Sequence, residues 1–246
     1  MMSDTGCPNP EASDVSSCGS DGAVAQPEPQ PRFVWQTVAL LAYYAWFIFA
    51  TRRPPARHLG AFRSSTQVVH LVFQWSIWLV GYSGIRNSGL RYKEVVGRFP
   101  SSRAAFWSAC GDAVYLWGGH RVVSWLLAWL SPFTVRHASP PITAWQFFLT
   151  ILGALSAGYT EEVVDRGLMM SQFRILTRSL TAAVLLQAFV FAASHGGNQT
   201  WTEFLEHFIA ALLFAYFAIH RKSLWPSIMG HAWIDVLWYL RRFVRG

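Results

Sequence analysis

The chain has 246 residues, of which 52% are hydrophobic, 16% aromatic and only 13% charged, and its formal net charge is +7. Its apolar residues come in long runs with few charges, where a soluble domain would alternate apolar and polar positions, so an ordinary water-soluble enzyme is excluded. A nucleic-acid-binding module is excluded as well, because the arginines are spread over short links between apolar runs, where headgroups and water solvate them.

Residues 1–31 are rich in Ser, Pro, Gly, Asp and Glu and have almost no apolar content. Such a segment cannot bury enough surface to order itself, and a disordered tail is expected. It lacks a charged start followed by an apolar stretch and a small-residue cleavage site, so the first span is expected to act as the signal. Cys7, Cys18 and Cys110 show neither CxxC spacing nor an even count, and define no disulfide framework and no thiolate metal site.

Seven apolar runs follow: Phe33 to Ala50, Thr66 to Gly84, Ala104 to Leu130, Thr143 to about Met170, Thr181 to His195, Phe204 to His220, and Trp225 to Leu240. Each is a candidate transmembrane helix. The third contains Gly118 and Gly119 and carries Asp112, His120 and Arg121, which predicts a tilted or kinked helix or two elements, and hence a count of seven or eight. The expected fold is therefore all-α, a polytopic transmembrane bundle of about seven to eight spans in the cell membrane. Residues 32–142 form its N-terminal helices and residues 143–246 the region that carries chemistry. No internal repeat of 20–50 residues stands out, which gives no support to an inverted-repeat transporter.

Orientation is weakly encoded. Basic residues occupy most links, with Arg52, Arg53, Arg57 and Arg63 in one and Arg86, Arg91, Lys93, Arg98 and Arg103 in the next. The link from Gly196 to Glu203 has no Lys or Arg, which places the links holding Arg174 with Arg178 and Arg221 with Lys222 in the cytoplasm. Arg241, Arg242 and Arg245 in the C-terminal tail run against that assignment. Tryptophans and tyrosines near span ends, among them Trp35, Tyr43, Tyr44, Trp78 and Tyr82, read as interfacial anchors. Glu203, Glu206 and His207, at the start of the sixth span, read as interfacial too.

An ionisable residue inside a span costs about 3 kcal/mol on insertion scales, so a cluster of them in neighbouring segments needs a reason. Glu161, Glu162, Asp165 and Arg166 end one apolar run, His195 ends the next, and His231 and Asp235 lie in the last. With a rise of about 1.5 Å per residue, counted from one side of the membrane, Glu161 lies about 14 Å deep, His195 about 21 Å, His231 about 9 Å and Asp235 about 15 Å. These depths overlap within the error of the span boundaries. Glu162 and Arg166 stand one helical turn apart and can pair, which leaves Glu161 free to act; His231 and Asp235 share a face in the same way. Singly, each group is more often a polar helix end or a hydrogen-bonded histidine. Jointly, carboxylates and imidazoles at similar depth suit activation of water or capture of a divalent metal.

The set resembles the CPBP intramembrane proteases, also called the ABI family, which includes the type II CAAX prenyl endopeptidases. The family's motifs E-E-x-x-x-R, F-x-x-x-H and H-x-x-x-N or D read here as Glu161, Glu162 and Arg166; Phe191 and His195; His231 and Asp235. The resemblance covers roughly Thr143 to Arg242 and includes the approach from Ser223 to Gly230. It implies an endopeptidase in which Glu161 and His195 polarise the attacking water, His231 and Asp235 support it and stabilise the oxyanion, and Glu162 and Arg166 orient the site. It also implies zinc held by Glu161, His195 and His231. The implied partners are the lipid bilayer and a peptide or protein substrate, prenylated or a leader peptide, with no nucleic acid. Family members often carry an aromatic or aliphatic residue at the position of Asp165, and many carry Asn at that of Asp235.

Three rival protease sites fail on the text. Gly81-Tyr82-Ser83-Gly84 resembles a rhomboid G-x-S-G, but His231 lacks the Gly-rich context of a partner histidine. Gly111 and Asp112 suggest G-x-G-D, but Ala109 stands at its first position, and H-E-x-x-H is absent. A proton-coupled transporter and a non-catalytic scaffold or immunity protein of the same fold remain as the competing readings.

Overall fold

A computed structural model describes residues 31–51, 64–130, 143–196 and 199–245. The expected disordered tail up to residue 30 and the arginine-bearing link of residues 52–63 lie outside the described residues. Among the described residues every regular element is a helix: α1 (Trp35–Thr51), α2 (Ser64–Asn87), α3 (Tyr92–Val96), α4 (Arg103–Leu130), α5 (Ala144–Glu162), a π-helical turn (Val163–Met169), α6 (Met170–Thr177), α7 (Leu180–Ser194), α8 (Trp201–Arg221) and α9 (Trp225–Arg245). The all-α expectation holds, and each of the seven apolar runs falls on a helix.

Two expectations are narrowed. The third run is one continuous helix of 28 residues with no break at Gly118 and Gly119. In an apolar setting the backbone must satisfy itself, so the hydrogen-bond ladder runs through glycines that no neighbour displaces; nothing lies within 4 Å of a Cβ built at Gly118. Second, three helical stretches are long and apolar enough to cross a membrane by length and composition, Ser64–Asn87, Ala144–Thr177 and Trp201–Arg221, while Trp35–Ala50 and Leu180–Ser194 are shorter apolar helices. The charges on α4 and α9 keep those two helices off the first group, although both pack within the bundle.

The surface fits an apolar solvent. Trp35, Val69, Trp107, Trp129, Trp145 and Phe189 are all more than half exposed. In water so much exposed aromatic area is an association or aggregation site, whereas against lipid it needs no cover. Inside, the buried core gathers on the π turn, where Val163, Val164, Leu168 and Met169 are fully covered and meet Leu40, Ile85, Phe173, Leu224 and Ile228.

Close approach of backbones depends on glycine, as is usual where small residues must replace the hydrophobic effect in holding membrane helices together. A Cβ at Gly81 would sit 2.7 Å from Val164 Cγ2, and one at Gly84 2.7 Å from Leu168 Cδ2. The Gly-Tyr-Ser-Gly segment is therefore a packing notch for the π turn, and its Ser83 hydroxyl donates to the Val80 carbonyl. The tightest approach to a backbone atom joins α5 to α9: a Cβ at Gly158 would lie 2.7 Å from the backbone nitrogen of Ala232. Backbone cannot rotate away as a side chain does, so Gly158→Val is expected to push the helices apart and cost about 1–3 kcal/mol. Unfolding in mixed micelles measures this, and an unchanged transition would contradict the packing.

Helix starts are set by capping boxes at Thr143 with Gln146 and at Thr200 with Glu203, in which each side chain satisfies the other's backbone N–H. The N-terminal segment is tied to the C-terminal half through Gln172, whose Oε1 accepts from Val34 N at 2.9 Å and whose Nε2 donates to the Arg32 carbonyl at 3.3 Å. That tie holds the start of α1 against α6, and α1 in turn lies beside α2 and α7.

Candidate active site

The π turn arranges the site. Its wider ladder, in which Met170 N donates to the Asp165 carbonyl five residues back, is the kind of single-turn bulge found often at functional positions. All seven of its residues are buried. On one side of this segment Glu162 and Arg166 face α7, α8 and α9; on the other Glu161 and Asp165 line a cavity.

Glu162 and Arg166 form a fully buried ion pair, with Arg166 NH1 3.0 Å from Glu162 Oε1 and neither side chain accessible. The guanidinium carbon lies 4.2 Å from the centre of the Phe191 ring and 5.2 Å from that of Phe214. The contact with Glu162 is ionic and not an aligned hydrogen bond, and Nε and NH2 have no hydrogen-bond partner among the described residues. Two aromatic faces thus take the place of hydrogen-bond acceptors around the cation.

The same Glu162 oxygen holds His231, whose Nδ1–H donates to Oε1 at 2.8 Å. Phe214 stacks on the imidazole with centroids 5.1 Å apart and planes 12° from parallel. With Nδ1 engaged, Nε2 points to two further carboxylates, 3.9 Å from Glu161 Oε2 and 3.7 Å from Asp235 Oδ2. Ring orientation and nitrogen assignment are therefore set by a buried partner that does not itself reach the cavity, the arrangement expected behind an imidazole that must act in one direction.

His195 caps α7, and its Nδ1–H donates to the Phe191 carbonyl at 2.8 Å. A carbonyl only accepts, so the proton sits on Nδ1 and Nε2 keeps a lone pair. Glu161 and His195 line one cavity of about 310 Å³ together with Thr160, Asp165 and Ser194. Tyr43, Tyr44 and Phe47 of α1 and His70, Phe73, Gln74 and Ile77 of α2 close its other side.

The structure therefore brings Glu161, Glu162, Arg166, His231 and Asp235 into one contact group, with His195 joined to it through the cavity and through Phe191, whose ring lies 4.6 Å from His195 and 6.0 Å from His231. Three features escaped the sequence reading. Phe214 carries no motif. His207, read as interfacial, stacks on His195 with centroids 3.9 Å apart, its Nδ1–H donating to the Glu203 carbonyl at 2.7 Å. Glu206, read the same way, is approached by His120 of α4 at 3.3 Å. The four-residue spacing of Glu203 and His207 was the available signal. The pairing partners come from other helices, and no local pattern shows them.

The implied zinc ligands are not drawn together: Glu161 and His231 approach each other, while His195 stacks on His207 with its Nδ1–H on the Phe191 carbonyl. Among the described residues no three His, Cys, Asp or Glu side chains converge as around a metal ion. Asp112, weighed above for an aspartyl site, is instead paired with Arg221 at 2.6 Å.

Residues 143–237 match the family model described as Rce1-like, type II CAAX prenyl endopeptidase Rce1-like. No curated protein and no solved structure matches the chain.

Proposed function

We propose, from the premise that residues 143–237 belong to the CPBP family through its Rce1-like, type II CAAX prenyl endopeptidase group, that this membrane protein is a glutamate-dependent intramembrane endopeptidase. Its substrate is a membrane-associated peptide, prenylated or a leader, and the chain crosses the cell membrane several times. The observation that carries the reading is the division of labour around His231: one carboxylate, Glu162, is neutralised by Arg166 and locked to Nδ1, while a second, Glu161, stands free at the cavity.

Water held between Glu161 and the Nε2 lone pair of His195 attacks the scissile carbonyl, and Glu161 takes its proton. Negative charge then develops on the carbonyl oxygen. His231, doubly protonated and fixed through Nδ1, presents an N–H at Nε2 to that oxygen, and Asp235 beside it supports the cation. When the tetrahedral intermediate collapses, the C–N bond breaks and Glu161 returns its proton to the departing amine, which regenerates the carboxylate. No step runs through a metal.

The apolar surface supports the setting, because a peptide that reaches this cavity from lipid leaves bulk water behind, and fixed charges act more strongly where the dielectric is low. The test is cleavage of a prenylated CAAX-type peptide by purified protein reconstituted in vesicles. Native protein is expected to cleave it, with activity lost in Glu161→Ala and in His195→Ala. Cleavage that persists in both variants removes the site from consideration.

A further inference from the structure

We infer that the cavity beside Glu161 is a specificity subsite for a basic side chain, Lys or Arg, of the substrate, with Asp165 as the residue that selects it. The inference rests on the endopeptidase reading only for the statement that the ligand is a peptide.

The argument begins with unmatched acceptors. Asp165 is 2% exposed, lines the cavity, and its Oδ1 is buried with no hydrogen-bond partner among the described residues. Gln74 lines the same cavity from α2, and its Oε1 is also buried and unpartnered. A buried polar atom left without a partner costs about 1–3 kcal/mol, so two in one cavity mark a place built for donors that arrive from elsewhere.

Charge points the same way. Glu161, Glu162, Asp165 and Asp235 bring four carboxylates to the site; Arg166 neutralises Glu162, and His231 is the cation available to Glu161 and Asp235. Among the described residues Asp165 has no ion-pair partner and no Lys or Arg lines the cavity. The lining groups that carry titratable protons are Tyr43, Tyr44, His70, Glu161, Asp165 and His195. A floor of carboxyl groups under a wall of aromatic rings from Tyr43, Tyr44, Phe47 and Phe73 is the chemistry that holds an ammonium or guanidinium group, through hydrogen bonds below and ring faces at the side.

Position places the subsite along the substrate. Asp165 follows Glu161 by one turn, about 6 Å along the helix axis. An extended peptide covers that distance in about two residues. The basic residue therefore lies within about two positions of the scissile bond. Because α1 and α2 supply the facing wall, this selectivity depends in part on residues outside the segment 143–237 that matches the family.

The test is binding by fluorescence anisotropy to the full chain in lipid nanodiscs. The probes are two labelled leucine-rich heptapeptides with N-methylated, unhydrolysable backbones that differ only in a central lysine or norleucine. Native protein is expected to bind the lysine peptide about tenfold more tightly, and Asp165→Asn to reduce that preference to about twofold or less. Tyr43→Leu, which removes a ring and no charge, is expected to lower the preference to about threefold and carries the test if Asp165→Asn does not fold. Equal binding of both peptides by native protein overturns the inference, as does a tenfold preference that survives in Asp165→Asn, because a carboxylate that merely shares a proton with Glu161 gives no selection for charge. Absence of any peptide cleavage sinks the endopeptidase reading and leaves this binding preference measurable; cleavage without a lysine preference sinks the subsite alone.

Discussion

Glu161→Gln is expected to lower kcat for peptide cleavage by about 10²- to 10⁴-fold, the range that removal of a general base produces. The substitution keeps size and shape and takes away only the ability to accept the proton of water. Its effect on stability is expected to be small for a geometric reason. The Glu161 side chain is 32% accessible, and its ion contact among the described residues is with His231 Nε2 at 3.9 Å, beyond hydrogen-bond distance. Folding therefore owes little to this carboxylate. The measurement is initial rate against substrate concentration, with thermal unfolding recorded on the same preparation. A variant that unfolds like the native protein and cleaves within threefold of it shows that Glu161 is not the base.

Arg166→Ala is expected to destabilise the chain by about 3–5 kcal/mol, the cost of leaving one member of a buried ion pair without its partner. Glu162 is wholly inaccessible and already has Oε2 without a hydrogen-bond partner among the described residues, so it has no route to water when the guanidinium goes. The cation also supports two aromatic rings, Phe191 and Phe214, which flank His231, and the void left by truncation would open between α7, α8 and α9. Arg166→Lys is expected to recover only part of the loss, because a compact ammonium cannot lie flat against two ring faces while it pairs. The double change Glu162→Gln with Arg166→Met is expected to regain most of the stability and none of the activity, since it removes both buried charges but leaves only a neutral amide oxygen where a carboxylate held the His231 cation. Denaturation in mixed micelles gives the four values. An Arg166→Ala loss below about 1 kcal/mol would mean that the pair is not what holds the π turn in place.

These expectations separate two groups of residues that the sequence puts side by side. Glu161 and Glu162 are adjacent and identical in type, and one is assigned to chemistry and the other to structure. The spacing Glu162 to Arg166 already favours that split, because a four-residue interval places the two on one helix face. Local spacing also paired His231 with Asp235, which lie 3.7 Å apart. It failed where a partner comes from a distant segment. Nothing near His207 announces that His195 will lie against it, and nothing in α1 or α2 announces an aromatic wall opposite Asp165. Gly118 and Gly119 allowed a break into two elements that does not occur, since glycine weakens a helix where water competes for its backbone and much less where none does.

The linear order of residues was sufficient for the helical class, for the apolar surface and for the identity of the acids and imidazoles, because those follow from hydropathy and from the 3.6-residue period, both local properties. Which carboxylate is buried against a cation and which faces a cavity was decided by packing. Gly158 lets α5 approach the backbone of α9, Gly81 and Gly84 admit the π turn, and that turn's extra backbone residue re-aims the side chains beyond it. Such choices depend on contacts between segments more than sixty residues apart, whose energies exist only once the helices have met.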